Sequence, residues 1–578
     1  MRLRDLSRLP GLALVVAALV AASTLGAGLV MDDVLTRARL LGFATAWGAS
    51  PWWDVFTFAR PDLNAGLRDA GLHPWWSDPA VKMVFFRPLS AATHVLDYAL
   101  WPDAPALHHV HSALWYVLAV LVAGALVRRV HTESPGLARL AALLFAVAAP
   151  HVATVGWVAS RNTLIAFVIG GCVIGLHARA GLGARIAAVV ALVVGLLASE
   201  ATLGALGYVL AWQLCLDARA WPRRLAALAP YAIVIALWRL LYVAGGFGSA
   251  ATSCYHDPSA DLVDFLRAVA TNLPALLGTR LLLLPVDGWA FAPAGVRVGL
   301  SLIGAAATVA IAWLLWPRLR ADPRARFWAL GATLSLIPFT ATLPMDRLVL
   351  FAGLGWSALL ADLAFVSPRR RWARRAGAVL LALHLPVSAA FGVARGLTLG
   401  PSLSAFSGGY EQAPRDARVP AQTFVYVTGT FHRVHYMTLM RLTRGEPAVP
   451  RRSVVLSSMV SDVSVTRTDA RTLELAPSGG FMITELDRIH RGDPTTLAVG
   501  DTVRLPDLEI EVLERTPDGR PSRAAFRFHA PLEHGSLRWL AVVADQPSIV
   551  PLDIETRAFT PPAIGETVIV PGVLRPSP

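Results

Sequence analysis

Apolar runs of about twenty residues recur from Leu9 to Ala394, and short arginine-rich loops separate them at alternate ends. A helix rises 1.5 Å per residue, so about 20 apolar residues cross the hydrocarbon of a bilayer. Runs at about 9–31, 107–127, 138–158, 163–178, 185–199, 201–216, 225–246, 298–316, 327–343, 347–366 and 376–394 predict eleven spans. Such a series excludes a wholly soluble enzyme, a disordered chain and a disulfide scaffold. With 55% hydrophobic and only 16% charged residues, the composition agrees. The fold class expected is an α-helical polytopic membrane protein with a β-rich soluble domain at its C-terminus.

Lysine and arginine resist translocation, so their loops mark the inner face. Arg2, Arg4 and Arg8 form the first cluster, followed by Arg128, Arg129 and Arg139, then Arg179 and Arg185, then Arg219, Arg223 and Arg224. Arg318, Arg320, Arg324 and Arg326 follow, and Arg369, Arg370, Arg371, Arg374 and Arg375 complete the series. Placing all of them inside puts the N-terminus in the cytoplasm and the tail outside. The stretch 270–286, with Pro274, Arg280 and Pro285, must then enter and leave on the outer face as a re-entrant or interfacial helix. The expected domains are a transmembrane part, 1–398, including an outer loop at 32–106; a linker at 399–420; and an extracytoplasmic β-rich accessory domain at 421–578.

The tail carries short β-type runs at Thr423–Val427, Ser453–Ser457 and Val463–Thr466, and one helix near His435–Leu442. A hairpin is expected where Leu508–Leu513 meets Thr516-Pro517-Asp518-Gly519 and then Ala524–Phe528. The net charge of +13 does not imply nucleic acid. Residues 401–578 hold 19 Lys+Arg against 20 Asp+Glu, so the whole excess lies beside the membrane. Three cysteines form no disulfide framework.

Ionisable residues at membrane depth are costly unless used or paired. Asp32 and Asp33 follow the first span directly, as a solvated helix end or as a carboxylate held for general base work. The loop 51–106 is crowded with aromatics, Trp52, Trp53, Phe56, Phe58, Trp75, Trp76, Phe85, Phe86 and Trp101 among them, read as interfacial helices lying on the membrane. Arg87 pairs with lipid headgroups or clamps a substrate phosphate. His108, His109 and His111 read as interfacial histidines, since nearby carboxylates are sparse. Arg161, Glu200, Arg239, Asp346 and Arg347 fall at outer ends of spans, on the same face as the aspartates. The chain has no Walker A loop, dinucleotide fingerprint, His-Glu-x-x-His helix or CxxC pair. An outer-face enzyme without nucleotide takes its activated donor from the membrane.

Four segments carry a family resemblance. They are Asp32-Asp33 after the opening span; Phe86-Arg87-Pro88-Leu89, Leu96-Asp97-Tyr98-Ala99-Leu100-Trp101 and Pro105…His109; His151…Trp157…Arg161; and Ser199-Glu200-Ala201 with Asp346-Arg347 and Gly353-Leu354-Gly355. With them the chain resembles GT-C-fold integral-membrane glycosyltransferases that use polyprenyl-phosphate sugars, most of all the bacterial relatives of the tetratricopeptide-repeat transmembrane O-mannosyltransferases. The likeness covers most of residues 9–394 and stops at the tail. Ala148, Ala149 and Ala153 stand where relatives carry His-Pro and a glutamate, Ser199 where they carry lysine, and Leu348 and Leu350 where they carry tyrosines.

The resemblance implies transfer of a sugar from a polyprenyl-phosphate donor to a hydroxyl on a glycan or protein acceptor, at the periplasmic face of a bacterial inner membrane. Asp32, with Asp33 beside it, is then the catalytic base that takes the acceptor's proton. Arg87, His109, His151, Arg161, Glu200, Asp346 and Arg347 are the substrate-binding candidates. Arg87, Arg161 and Arg347 either meet phosphate or form structural ion pairs with Glu200 or Asp346. The scheme requires no cofactor or metal ion; its partners are the lipid-linked sugar, the acceptor and membrane lipids. The alternatives are a non-catalytic lipid- or glycan-binding scaffold and a flippase for a lipid-linked sugar.

Overall fold

The computed structural model describes residues 11–43, 45–48, 51–365, 371–407, 412–544 and 554–573. Arg2, Arg4, Arg8, Arg369 and Arg370 of the arginine series, and part of the 399–420 linker, lie outside these. The chain divides into two compact units. One comprises Met1–Leu29, Phe86–Phe247 and His256–Gly400; the other comprises Val30–Phe85, Gly248–Tyr255 and Pro401–Pro578.

The first unit is a helical bundle, and every one of the eleven apolar runs carries a helix in it. Among the described residues, six helices are long and apolar enough to cross a membrane, or seven if Pro135–Ala146 and Ala149–Gly156, bent by 58°, count as one span. Leu12–Ala22 and Leu182–Ala198 are shorter apolar helices. The bundle's long hydrophobic core runs through Tyr116, Phe145, Phe167, Tyr208, Phe327, Trp328 and Phe351, all essentially inaccessible.

The stretch expected to be re-entrant is the helix Leu262–Leu282 and the irregular chain after it. Before its deepest point, the His256 N–H meets Ala341 O at 2.8 Å and Asn272 Nδ2 meets Thr340 O at 3.0 Å. After it, the Val286 N–H meets Asp346 Oδ1 at 3.0 Å. All three partners belong to the connection leading into the helix Leu350–Phe365. Between them, Arg280 reaches Ser357 inside that helix at 3.2 Å. The segment therefore enters the bundle and returns on the side it entered. Gly304 makes this possible, since a Cβ there would strike the Pro274 carbonyl.

The second unit is a β sandwich with a small α/β layer. Its strands are β1 Thr57–Ala59, β2 Lys82–Val84, β3 Gly248–Ala250, β4 Thr423–Thr428, β5 Arg452–Ser457, β6 Val463–Arg467, β7 Thr472–Pro477, β8 Thr502–Leu505, β9 Leu508–Arg515, β10 Pro521–Phe528, β11 Leu537–Ala544, β12 Ile554–Ala558 and β13 Thr567–Val570. Three sheets form, ordered β1-β2-β3, β13-β6-β7-β10-β9-β8 and β12-β11-β4-β5. The expected hairpin is β9–β10, turning at Gly519 with φ +86°. Alternation along β4 sets the layers. Val425 and Val427 face the six-stranded sheet's Leu473, Leu475, Ile510 and Phe526, whereas Phe424 and Tyr426 face Val434 and Met437 of the helix Phe431–Thr443.

The sequence reading grouped residues 32–106 with the transmembrane part; here Val30–Phe85 packs with the tail. The reason is in the tryptophans. Trp75 and Trp76, expected at a membrane interface, are 2% and 3% exposed inside the sandwich core. Their indole N–H groups donate to Leu456 O at 3.0 Å and Asp487 O at 2.8 Å. Trp52 and Trp53 remain exposed. Gly71, with φ +74°, lets the loop lie on β5, because a Cβ there would strike Ser453 O. Gly71→Ala is expected to destabilise this unit by roughly 2–4 kcal/mol. Faster proteolytic cleavage of the loop 60–80 in the folded protein would show it.

Candidate functional site

Met31 precedes the two aspartates with φ 48° and ψ −122°, a conformation that a side chain strains to adopt and that clusters at functional sites. The helix Asp32–Leu40 then opens with both acids in its first turn, where the helix dipole favours carboxylate charge. The two acids are used differently. Asp33 is 1% exposed, and its Oδ2 accepts the Val30 N–H at 3.1 Å. Asp32 is half-buried, and its Oδ1 accepts the Tyr436 hydroxyl at 2.6 Å. Burial, with the Asp32 charge beside it, pushes the Tyr436 phenol well above its usual range, so it stays protonated and donates. Tyr436 was not a sequence candidate, because nothing local marks a residue 404 positions from its partner.

Beside Tyr436, four histidines converge from three segments. His73 and His490 stack with ring centroids 4.4 Å apart, and His432 and His490 lie 6.1 Å apart. His435 packs on Phe431 at 5.3 Å. Burial holds them neutral, lowering His73 and His432 to about 4 and His435 to about 3, with His490 well below its usual value. Among the described residues, no three of His, Cys, Asp and Glu are arranged to hold a metal ion. Unfolded histidines take up protons near pH 6.5. The unfolded chain therefore binds more protons between about pH 6.5 and 4, and stability is full above that window and falls through it. His73 and His432 each correspond to about 3 kcal/mol. A melting temperature that stays level from pH 7 to pH 4 would contradict this.

The remaining candidates lie in the helical unit, in three groups. In the first, Arg87 Nε donates to Glu200 Oε2 at 2.7 Å, and the Tyr242 hydroxyl donates to Glu200 Oε1 at 2.6 Å. Both charged side chains keep some exposure, 17% and 24%. In the second, Arg161 is fully enclosed and pairs with Asp97 at 2.6 Å. His111 Nδ1 donates to the other Asp97 oxygen at 2.6 Å, and Arg161 also donates to His108 O at 2.9 Å and Ser112 Oγ at 3.1 Å. In the third, Asp346 pairs with Arg395, which also pairs with Asp287.

Asp346 and Arg347 are adjacent in sequence but part company on a 3₁₀ turn. The Arg347 guanidinium lies 4.7 Å over the Trp157 ring and 3.3 Å from Ser160 Oγ. His109 Nε2 donates to Gly28 O at 2.8 Å. His151 is buried, with Nδ1 on Phe145 O at 3.1 Å. Both histidines are buried in the bundle. Arg239, another outer-end candidate, pairs with Asp257.

No family model matches the chain, and no curated protein matches it. Solved structures similar to it include two of one protein. ArnT from Cupriavidus metallidurans bound to undecaprenyl phosphate is 17% identical with a TM-score of 0.38, over 77% of this chain and 89% of that one. The same protein in the apo state is 16% identical with a TM-score of 0.39, over 76% of this chain and 88% of that one. Likeness this distant assigns neither activity nor ligand.

Proposed function

We propose that the chain is an integral-membrane glycosyltransferase of the bacterial inner membrane. It moves a sugar from a polyprenyl-phosphate donor to a hydroxyl acceptor at the periplasmic face, with about eleven spans, a cytoplasmic N-terminus and an extracytoplasmic tail. The observation that carries this reading is Asp32, a carboxylate in the first turn of a helix, behind a strained residue, with one oxygen held by a tyrosine hydroxyl. The four segments that resemble lipid-linked-sugar transferases support the substrate class.

The chemistry follows from the groups. The Asp32 oxygen opposite Tyr436 takes the proton of an acceptor hydroxyl. The acceptor's hydroxyl oxygen, freed of its proton, attacks the anomeric carbon; the bond to phosphate breaks with its electron pair, and polyprenyl phosphate leaves. Arg87 and Arg347 are assigned to the phosphate charge. Arg161 is assigned a structural role, since Asp97 already neutralises it at zero exposure. Asp33 supports the turn.

The test is transfer from radiolabelled polyprenyl-phosphate hexoses by the protein purified in detergent, with hydroxyl acceptors and water. Turnover with at least one donor is expected. Donor binding without turnover across the panel would favour the scaffold reading, and absence of donor binding would end the proposal.

A further inference from the structure

A second polar site lies in the β-containing unit, where the loop 68–75 covers β5. Arg68, His73, Trp75, Phe431 and Arg452 line a narrow pocket whose interior of about 10 Å³ holds one water-sized group. Arg452 is 5% exposed, yet its Nε, Nη1 and Nη2 atoms make no hydrogen bond. The carboxylate within 4 Å of it is Asp507, at 3.8 Å, and Asp69 also acts on its charge. Asp507 is already taken by Arg451, at 3.1 Å, and by the Thr423 hydroxyl, at 2.7 Å. Among the described residues Arg68 pairs with Asp69, at 3.6 Å, and its Nε is buried without a hydrogen bond. Arg68 and Arg451 stand close enough to Arg452 to work against its charge.

Among the described residues here, Arg68, Arg451 and Arg452 face two carboxylates, Asp69 and Asp507, and the buried Arg452 has neither to itself. A buried guanidinium left this way costs several kcal/mol. We propose that the Arg68–Arg452 pocket binds a phosphate-type oxyanion, seating one oxygen between the two guanidiniums. Arginine forks match phosphate oxygens. His73 refines the class. Its Nε2 is given to Phe58 O at 3.2 Å, leaving the buried Nδ1 as an acceptor. With room for one oxygen, the group that enters is the P–OH of a hydrogen phosphate, which accepts from the guanidiniums and donates to that atom; sulfate and carboxylate bring only acceptors. The inference stands whether or not the chain transfers sugars.

Equilibrium dialysis of the full chain in detergent with ³²P-labelled inorganic phosphate tests it, beside thermal unfolding. The wild type is expected to bind saturably, and Arg452→Met and Arg68→Gln to bind at least tenfold more weakly. An apolar isostere of an unpaired buried charge is neutral or stabilising, so Arg452→Met should melt no lower in phosphate-free buffer. Competition by glycerol phosphate marks a soluble phosphoester; competition by phosphatidic acid in mixed micelles, and not by phosphatidylcholine, marks a lipid headgroup. Either result supports the site. No saturable binding, equal affinity in Arg452→Met, a lower phosphate-free melting point of that variant, or equal displacement by sulfate overturns it.

Discussion

Asp32→Asn is expected to lower sugar transfer by about 10²–10⁴-fold while donor binding stays within a few-fold of wild type. The amide keeps the volume and can still accept the Tyr436 hydroxyl, so the helix start should hold. What it loses is basicity at the second carboxylate oxygen, the one property a general base contributes. Tyr436→Phe should act on the same step through position alone. Losing a hydrogen bond to a charged group is worth about 1.5–3 kcal/mol, or roughly a tenfold to hundredfold loss of turnover. The pH–rate profile separates the two: it should persist, displaced, in Tyr436→Phe and lose its acidic limb in Asp32→Asn. Asp33→Asn should lower the melting temperature more than the rate, because its Oδ2 accepts a backbone N–H at the turn. Turnover by Asp32→Asn within tenfold of wild type would remove Asp32 from the mechanism.

Such a dependence would also change the standing of the tail. The sequence shows a soluble domain with no constellation of its own, which reads as accessory. In the structure its helix Phe431–Thr443 supplies the hydroxyl that orients Asp32, and Asp32 belongs to the same compact unit. The setting of Asp32 cannot be understood from the helical unit alone.

What the sequence makes legible is what depends on local pattern. Apolar runs locate helices, short runs of β-forming residues locate β4, β5 and β6, and Asp518-Gly519 locates the hairpin turn. The re-entrant segment followed from charge placement, since crossing would have exported the cluster at 318–326. Long-range partners leave no such trace. Trp75 suits a membrane interface and a sandwich core equally by composition, and only its bond to Leu456 O, 381 residues away, decides between them. Asp346 and Arg347 look like one ion pair, but a 3₁₀ turn sends Asp346 to Arg395 and Arg347 to Trp157. Asp97 was visible inside a motif without its role, because the helix carrying Arg161 begins 64 residues later.

That pair gives the largest stability effect expected in the chain. Asp97→Asn would leave Arg161 enclosed with a full charge and neutral partners, and breaking a buried pair from one side costs about 3–5 kcal/mol. His111 cannot compensate, because its Nδ1–H needs the same carboxylate and its Nε2 already accepts the Trp115 indole N–H at 3.2 Å. The melting temperature of Asp97→Asn in detergent should fall sharply, while Asp97→Leu with Arg161→Met, which removes both charges, should recover most of it. The double variant also tests the role of Arg161 against the reading in which it contacts substrate phosphate. If the guanidinium serves only Asp97, the double variant regains donor affinity together with stability. If it contacts phosphate, stability returns and donor affinity stays lost, which would refute the structural assignment. Its zero exposure and its bonds to His108 O and Ser112 Oγ, with the Asp97 charge at 2.6 Å, already place its donors on protein atoms, so the first outcome is expected.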